Sequence, residues 1–128
     1  MKVLLDTHTL LWWYANDPRL ATYASDIIRA RSTEVLVSAA SAWEIATKAK
    51  VGKLSGIERL TSDFDTLIVR GGFKHLAVTH HHALLAGSFV HVHRDPYDRM
   101  LAAQGLIEDA LLLSNDAELK AFGARVAG

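Results

Sequence analysis

The segment HRDPYDR, residues 93–99, sets two aspartates around a proline just ahead of the small apolar run MLAAQGLI. Proline suits the first turn of a helix and makes the residue before it the cap, so Asp95 is expected to accept from backbone N–H groups. Asp98 then falls in the first turn, where the helix dipole favours an acid and the side chain can point away from the helix end. Three further acids stand out by position: Asp6 directly after KVLL, Glu44 within SAASAWEIATKAK, and Asp116 directly after LLLSN. Brought together, such carboxylates repel one another and hold protons more tightly unless a cation sits among them. A hard divalent ion, Mg²⁺ or Mn²⁺, takes oxygen ligands and keeps waters that can attack a phosphodiester. Each acid also has a structural reading. Asp6 and Asp116 could each cap the helix that follows, an interaction of about 1 kcal/mol, and Glu44 in mid-helix could be an exposed, solvated carboxylate.

What would bring these residues together is a particular layering of elements. KVLL, EVLVS from Glu34 and ALLLS from Ala110 are short continuous apolar runs of the kind buried strands show. Helical spacing fills the intervals. Residues 18–31 place Leu20, Tyr23, Ile27 and Ile28 on one face, with Asp17 as cap and Pro18 in the first turn. A helix over 40–50 is followed by Gly52, suited to a left-handed stop. Further helices are expected over 57–70, 79–88, 97–109 and 117–122, a short strand within 73–78 and a very short edge strand near 125–127. Strands alternating with helices imply parallel pairing, hence a three-layer α/β/α sandwich with a central parallel sheet. In such sheets ligands collect beyond the carboxyl ends of the strands, where the acids stand.

The whole chain narrows the choices. Its 128 residues fit one domain, 1–128, that buries roughly two-thirds of its unfolded surface. Lys plus Arg and Asp plus Glu both total 14, so no net field draws the chain to nucleic acid or to an anionic membrane. Without cysteine there are no disulfides or thiolate metal sites, which fits a cytoplasmic location. No run approaches the ~20 apolar residues of a membrane span, and Asp6 and His8 interrupt the apolar N-terminus that a signal peptide would need.

Competing readings attach to other residues. His80, His81, His82, His91 and His93 could form a transition-metal site, although consecutive histidines cannot all face one ion. Asp6 could be the acceptor of a phosphoryl-accepting α/β domain, but the partner acid and late-strand lysine of such modules are not evident. The domain could also bind without catalysing. Trp12-Trp13-Tyr14 is either a base-stacking platform or, at helical spacing, core or dimer surface. Lys48, Lys50, Lys53, Arg94 and Arg99 could hold phosphates or simply be solvated, and Arg99 is the best placed of them beside Asp98.

Taken in order, LLDTHTLLWW, SAASAWEIATKAKVGKL, HRDPYDRMLAAQ and LLLSNDAEL resemble the signatures of PIN-domain ribonucleases, in particular the VapC toxins of toxin–antitoxin pairs. The resemblance runs from Lys2 to about Phe122. It implies a Mg²⁺- or Mn²⁺-dependent endoribonuclease whose acidic site is Asp6, Glu44, Asp98 and Asp116. Asp6 and Asp98 would anchor the metal, and Glu44 and Asp116 would complete a second position or act through water. Ser114 matches a position where Ser or Thr accompanies the last acid, and it joins Asp95 and Arg99 as auxiliary residues. The resemblance further implies an RNA substrate, a cognate antitoxin whose tail enters the acidic groove, and a homodimer or toxin–antitoxin hetero-oligomer.

Overall fold

The computed structural model describes residues 1–52, 58–90 and 95–128. In chain order the elements are β1 (Lys2–Leu5), α1 (Thr7–Ala15), α2 (Thr22–Arg29), β2 (Glu34–Ser38), α3 (Ala39–Lys50), α4 (Glu58–Ser62), α5 (Phe64–Arg70), β3 (Lys74–Leu76), α6 (His80–Ser88), α7 (Pro96–Ile107), β4 (Leu111–Leu113), a 3-10 helix (Ala117–Phe122) and β5 (Val126–Ala127). Among the described residues the strands make one five-stranded sheet in the order β3-β2-β1-β4-β5, with every pairing parallel.

The pleat explains why the strand sequences read as continuous apolar runs. Val3, Leu5, Val35, Val37 and Leu113 face one side, packed on Leu10, Ile28, Ile45, Leu60, Ile68 and Phe73. Leu4, Leu36 and Leu112 face the other, against Leu101, Ala102, Leu119 and Phe122. Helices therefore cover both faces, which is the expected α/β/α layering. From β1 the sheet grows outward through β2 to β3, and the chain then returns to lay β4 on the opposite flank of β1. In open α/β sheets such a reversal, here beyond the carboxyl ends of β1 and β4, is where ligands bind.

Several boundaries differ from expectation for local reasons. The helix expected from Pro18 starts only at Thr22, because Asp17 spends its carboxylate on Arg19: Oδ1 accepts from the backbone N–H at 2.8 Å and Oδ2 pairs with Nη2 at 2.7 Å. Tyr23 is exposed, and Ala24 joins Ile28 on the buried face. The helix expected over 57–70 is two helices separated at Asp63, whose φ of −121° and ψ of 28° are not helical; Ile57 lies outside the described residues. The strand within 73–78 is only Lys74–Leu76. Gly52, at φ +75°, adopts the left-handed conformation expected of it after α3.

Candidate functional site

Parallel pairing carries β1 one residue beyond its strand, since the Asp6 N–H donates to the Leu113 carbonyl at 3.0 Å. Leu5 pairs with Leu113, so Asp6 and Ser114 stand side by side at the sheet's carboxyl edge. The Ser114 hydroxyl donates to Asp6 Oδ2 at 2.5 Å and accepts from the Asp116 N–H at 3.0 Å. Both side chains are buried. Around them Thr9 Oγ1 donates to the Leu113 carbonyl at 3.0 Å, and Thr7 Oγ1 donates to Ser41 Oγ at 2.9 Å, tying the start of α1 to β4 and α3. Asp6 occupies the cap position of α1 yet makes no side-chain capping bond. Asp116 does cap, accepting from the Glu118 N–H at 3.0 Å, so the structural reading holds for that acid alongside its place at the site.

Glu44 comes from α3, whose start is fixed by Ser38 accepting from the Ala40 N–H at 3.0 Å. It is 3% exposed, so the solvated mid-helix carboxylate is not what the fold contains. Oε2 pairs with the Lys48 ammonium one turn on, while Oε1 is buried and has no hydrogen-bond partner among the described residues. Burial pushes the Asp6 carboxyl above its usual range, and the nearby Glu44 carboxylate adds to the rise. The Ser114 hydrogen bond and the field of the His8 ring and backbone N–H pull the other way without cancelling it.

Asp95 caps α7 as expected: Oδ1 accepts from the N–H groups of Tyr97 at 2.9 Å and Asp98 at 3.2 Å. Asp98 is half-buried in the first turn. Burial weighs against the Lys48 charge, but the Glu44 pair and the fields of Asp95 and Asp98 outweigh it and raise the ammonium's pKa. Lys48 thus lies within reach of Glu44, Asp95 and Asp98, and Glu44 lies within reach of Asp6. Asp6 is linked to the Asp116 backbone through Ser114 and feels the Glu44 charge, while Lys48 joins Glu44 to the start of α7. Beside them an apolar cleft of about 370 Å³ includes Trp43 and Tyr97, the sequence neighbours of Glu44 and Asp98. Their rings meet edge to face at 4.9 Å, and Trp43 is 63% exposed.

Other candidates are employed elsewhere. The Arg99 guanidinium donates to the carbonyls of Ala86 at 3.0 Å and Phe89 at 2.8 Å and lies over the Phe89 and Phe122 rings. It joins α6 to α7 rather than waiting for a phosphate. Lys50 is exposed, and Lys53, Arg94, His91 and His93 lie outside the described residues. His82 is fully buried; Nδ1 accepts from the Thr79 N–H at 3.0 Å and Nε2 meets Glu108 Oε2 at 2.9 Å, so it does not join His80 and His81 in a metal site. Trp13 and Tyr14 pack on Phe73, and the Tyr14 hydroxyl donates to the Leu67 carbonyl at 2.6 Å, which favours core over base platform. Thr7 and Ser41 are site neighbours that sequence reasoning missed, and Lys48, read as either a phosphate contact or a solvated lysine, is instead the partner of Glu44. The four-residue spacing of Glu44 and Lys48 was the available signal.

As donors for a divalent cation these residues fit in kind. A desolvated carboxylate at Asp6 and an unpartnered buried oxygen at Glu44 are what an added positive charge would relieve. Among the described residues, no three acidic or histidine side chains are placed so as to hold a metal ion together.

An α/β/α domain with buried acids at the reversal point of a parallel sheet is thus the class that fold and site define. A PIN domain family model matches residues 3–124, and the chain belongs to that family. PIN-domain proteins are nucleases as a family and generally use divalent metal ions. Similar solved structures include VapBC2 from Rickettsia felis bound to a DNA fragment from its promoter, at 16% identity and a TM-score of 0.69, covering 99% of this chain and 98% of that one. VapBC-1 from nontypeable Haemophilus influenzae is 15% identical with a TM-score of 0.70, covering 99% and 97%. A toxin–antitoxin complex from Klebsiella pneumoniae is 13% identical with a TM-score of 0.66, covering 98% and 96%. No curated protein matches the chain's sequence. At these identities the structural likeness speaks for the fold. Among the described residues no helix is long and apolar enough to cross a membrane.

Proposed function

We propose that this protein is a metal-dependent endoribonuclease acting as the toxin of a toxin–antitoxin pair. The observation that supports the reading is a desolvated Asp6 carboxyl at the sheet's carboxyl edge, close enough to Glu44 to feel its charge, with a buried Glu44 oxygen that has no partner among the described residues. Asp6 and Asp98 are the proposed ligands of Mg²⁺ or Mn²⁺, with Glu44 and Asp116 contributing directly or through water. When bound, such an ion stabilises charge on phosphoryl oxygens and acidifies water. The chain's own residues do the rest. Ser114 fixes the Asp6 carboxylate and, through the Asp116 N–H, sets the last acid at the same edge. Asp95 holds the first turn of α7 so that Asp98 is presented there. A carboxylate of the cluster takes the proton from the attacking water as it forms its bond to phosphorus and the leaving oxygen departs.

The Klebsiella neighbour is a toxin–antitoxin complex. Carried to this chain, that pairing supplies an antitoxin whose tail enters the acidic groove, within a hetero-oligomer or on a homodimer. An electrostatic pairing with the acids and apolar contact with the cleft at Trp43 are both on offer to it. Location in the cytoplasm follows from an RNA target.

The test is cleavage of RNA by the purified protein. We expect activity in Mg²⁺ or Mn²⁺, none in EDTA, and a loss of at least about 100-fold in kcat/KM for Asp6→Asn and Asp98→Asn, equivalent to removing ~3 kcal/mol of transition-state stabilisation. Undiminished turnover in either variant rejects the assignment. A folded wild-type protein that cleaves nothing with any divalent ion would instead be a catalytically silent binding module.

A further inference from the structure

The metal reading leaves one member of the site unexplained, the Lys48 ammonium. It pairs with Glu44 Oε2 across one turn of α3, and the fields of Asp95 and Asp98 reach it from α7. The two side chains differ sharply in exposure, 29% for Lys48 and 4% for Glu44. Glu44 is therefore the fixed partner and Lys48 the one with a way out to solvent on its flexible stem. The remaining Glu44 oxygen, Oε1, is buried without a hydrogen-bond partner among the described residues, and of the described side chains the Lys48 ammonium is the cation that pairs with this buried charge. An ion entering among the acids meets a positive charge already there.

We infer that Lys48 is a built-in competitor of the divalent cation: its ammonium neutralises the acid cluster in the metal-free protein and raises the metal concentration at which the site fills. The inference rests on the metal reading above. Its physical basis is that two cations cannot share one carboxylate cluster without mutual repulsion at short range, where screening by salt is weakest. Lys48 must release Glu44, or at least withdraw from it, as a divalent ion binds. It is a positioning residue in this scheme, because it acts on Glu44 and on the ion's entry.

The experiment is calorimetric titration of the full chain with Mn²⁺ at fixed ionic strength. It compares the wild type with Lys48→Met, Lys48→Arg, Lys50→Met and Asp6→Asn. Removing the competing charge is expected to tighten Mn²⁺ binding about tenfold in Lys48→Met, as one elementary charge beside the ion allows. Lys48→Arg, which keeps the charge, and Lys50→Met, which removes an exposed one nearby, should stay within about twofold of the wild type. The melting temperature of Lys48→Met should also rise more with added Mn²⁺ than that of the wild type, since Glu44 has lost its other partner. Equal or weaker Mn²⁺ binding by Lys48→Met overturns the inference, as does tightening of the same size in Lys50→Met. If Lys48→Met does not fold, Lys48→Gln decides by the same criterion. Asp6→Asn separates the two readings: binding that Asp6→Asn leaves untouched, or absent from every variant, brings down the metal site itself. Binding sensitive to Asp6 but indifferent to Lys48 brings down this inference alone.

Discussion

A carboxylate at position 6 that neither caps its helix nor reaches bulk water is a liability to the fold unless something positive joins it. Its pKa is raised in the folded chain, first by burial, so between the unfolded value of about 3.9 and the folded value the native state binds more protons than the unfolded one. Stability therefore falls as pH rises through that window, and the whole penalty is present above it. Asp6→Asn in metal-free buffer should melt a few degrees higher than the wild type at neutral pH, and the difference should shrink as pH falls towards 4. Melting curves over that range decide, and a pH-independent difference would contradict the linkage. Ser114→Ala should act in the opposite direction, destabilising by about 2 kcal/mol because a hydrogen bond to a charged group is lost in a buried setting. Denaturant titration measures it. The capping role of Asp95 was legible in HRDPYDR, because proline fixes which residue caps. The roles of Lys48 and Arg99 were not. A cation's partner across space depends on which carboxylate or carbonyl the fold delivers, and nothing in DPYDR announces the carbonyls of Ala86 and Phe89.

Elements whose ends are fixed by a single residue carry the site, and there stability and chemistry can be separated. Asp95 accepts two backbone N–H groups at the start of α7, so Asp95→Ala should cost about 1 kcal/mol and weaken RNA cleavage only through the misplacement of Asp98. Asp98→Asn should leave the metal-free protein as stable as the wild type or more so, while abolishing cleavage. Denaturation and cleavage assays on the two variants should therefore rank them in opposite orders. A variant pair ranked alike by both would mean that cap and ligand are not divided as proposed. At this scale the strands β1, β2 and β4 could be read directly, since burial on both faces demands unbroken apolar runs. Helix beginnings were harder. Asp17 and Pro18 look like a cap and first turn, yet the local bond from Asp17 to Arg19 makes a turn instead and delays α2 to Thr22. Likewise the periodicity over 57–70 does not register the break at Asp63, which depends on how α4 and α5 pack over the sheet.

For the whole molecule the decisive fact is topological. The parallel pairing followed from the alternation of strands and helices, but the strand order, which puts β1 between β2 and β4 and so sets Asp6 beside Ser114 at the middle of the sheet's carboxyl edge, had no local signal. That arrangement also sets the electrostatics of the proposed RNA binding. The chain has as many acidic as basic residues, so no long-range field draws a polyanion in, and the proposed site for the phosphate is itself acidic. Of the described basic residues singled out near it, Lys48 is paired with Glu44 and Arg99 is turned into backbone carbonyls. The divalent ion should consequently make the surface receptive as well as reactive. Fluorescence anisotropy with a labelled RNA in Ca²⁺, an ion of the same charge with oxygen ligands of its own, should show affinity at least about tenfold above that in EDTA at equal ionic strength, and Asp98→Asn should lose most of that gain. The salt dependence should stay shallow in EDTA, since few phosphates are neutralised by the protein itself. Tight, steeply salt-dependent binding without any divalent ion would place the RNA on a basic surface away from this site, and the acids would then have no phosphate to act on.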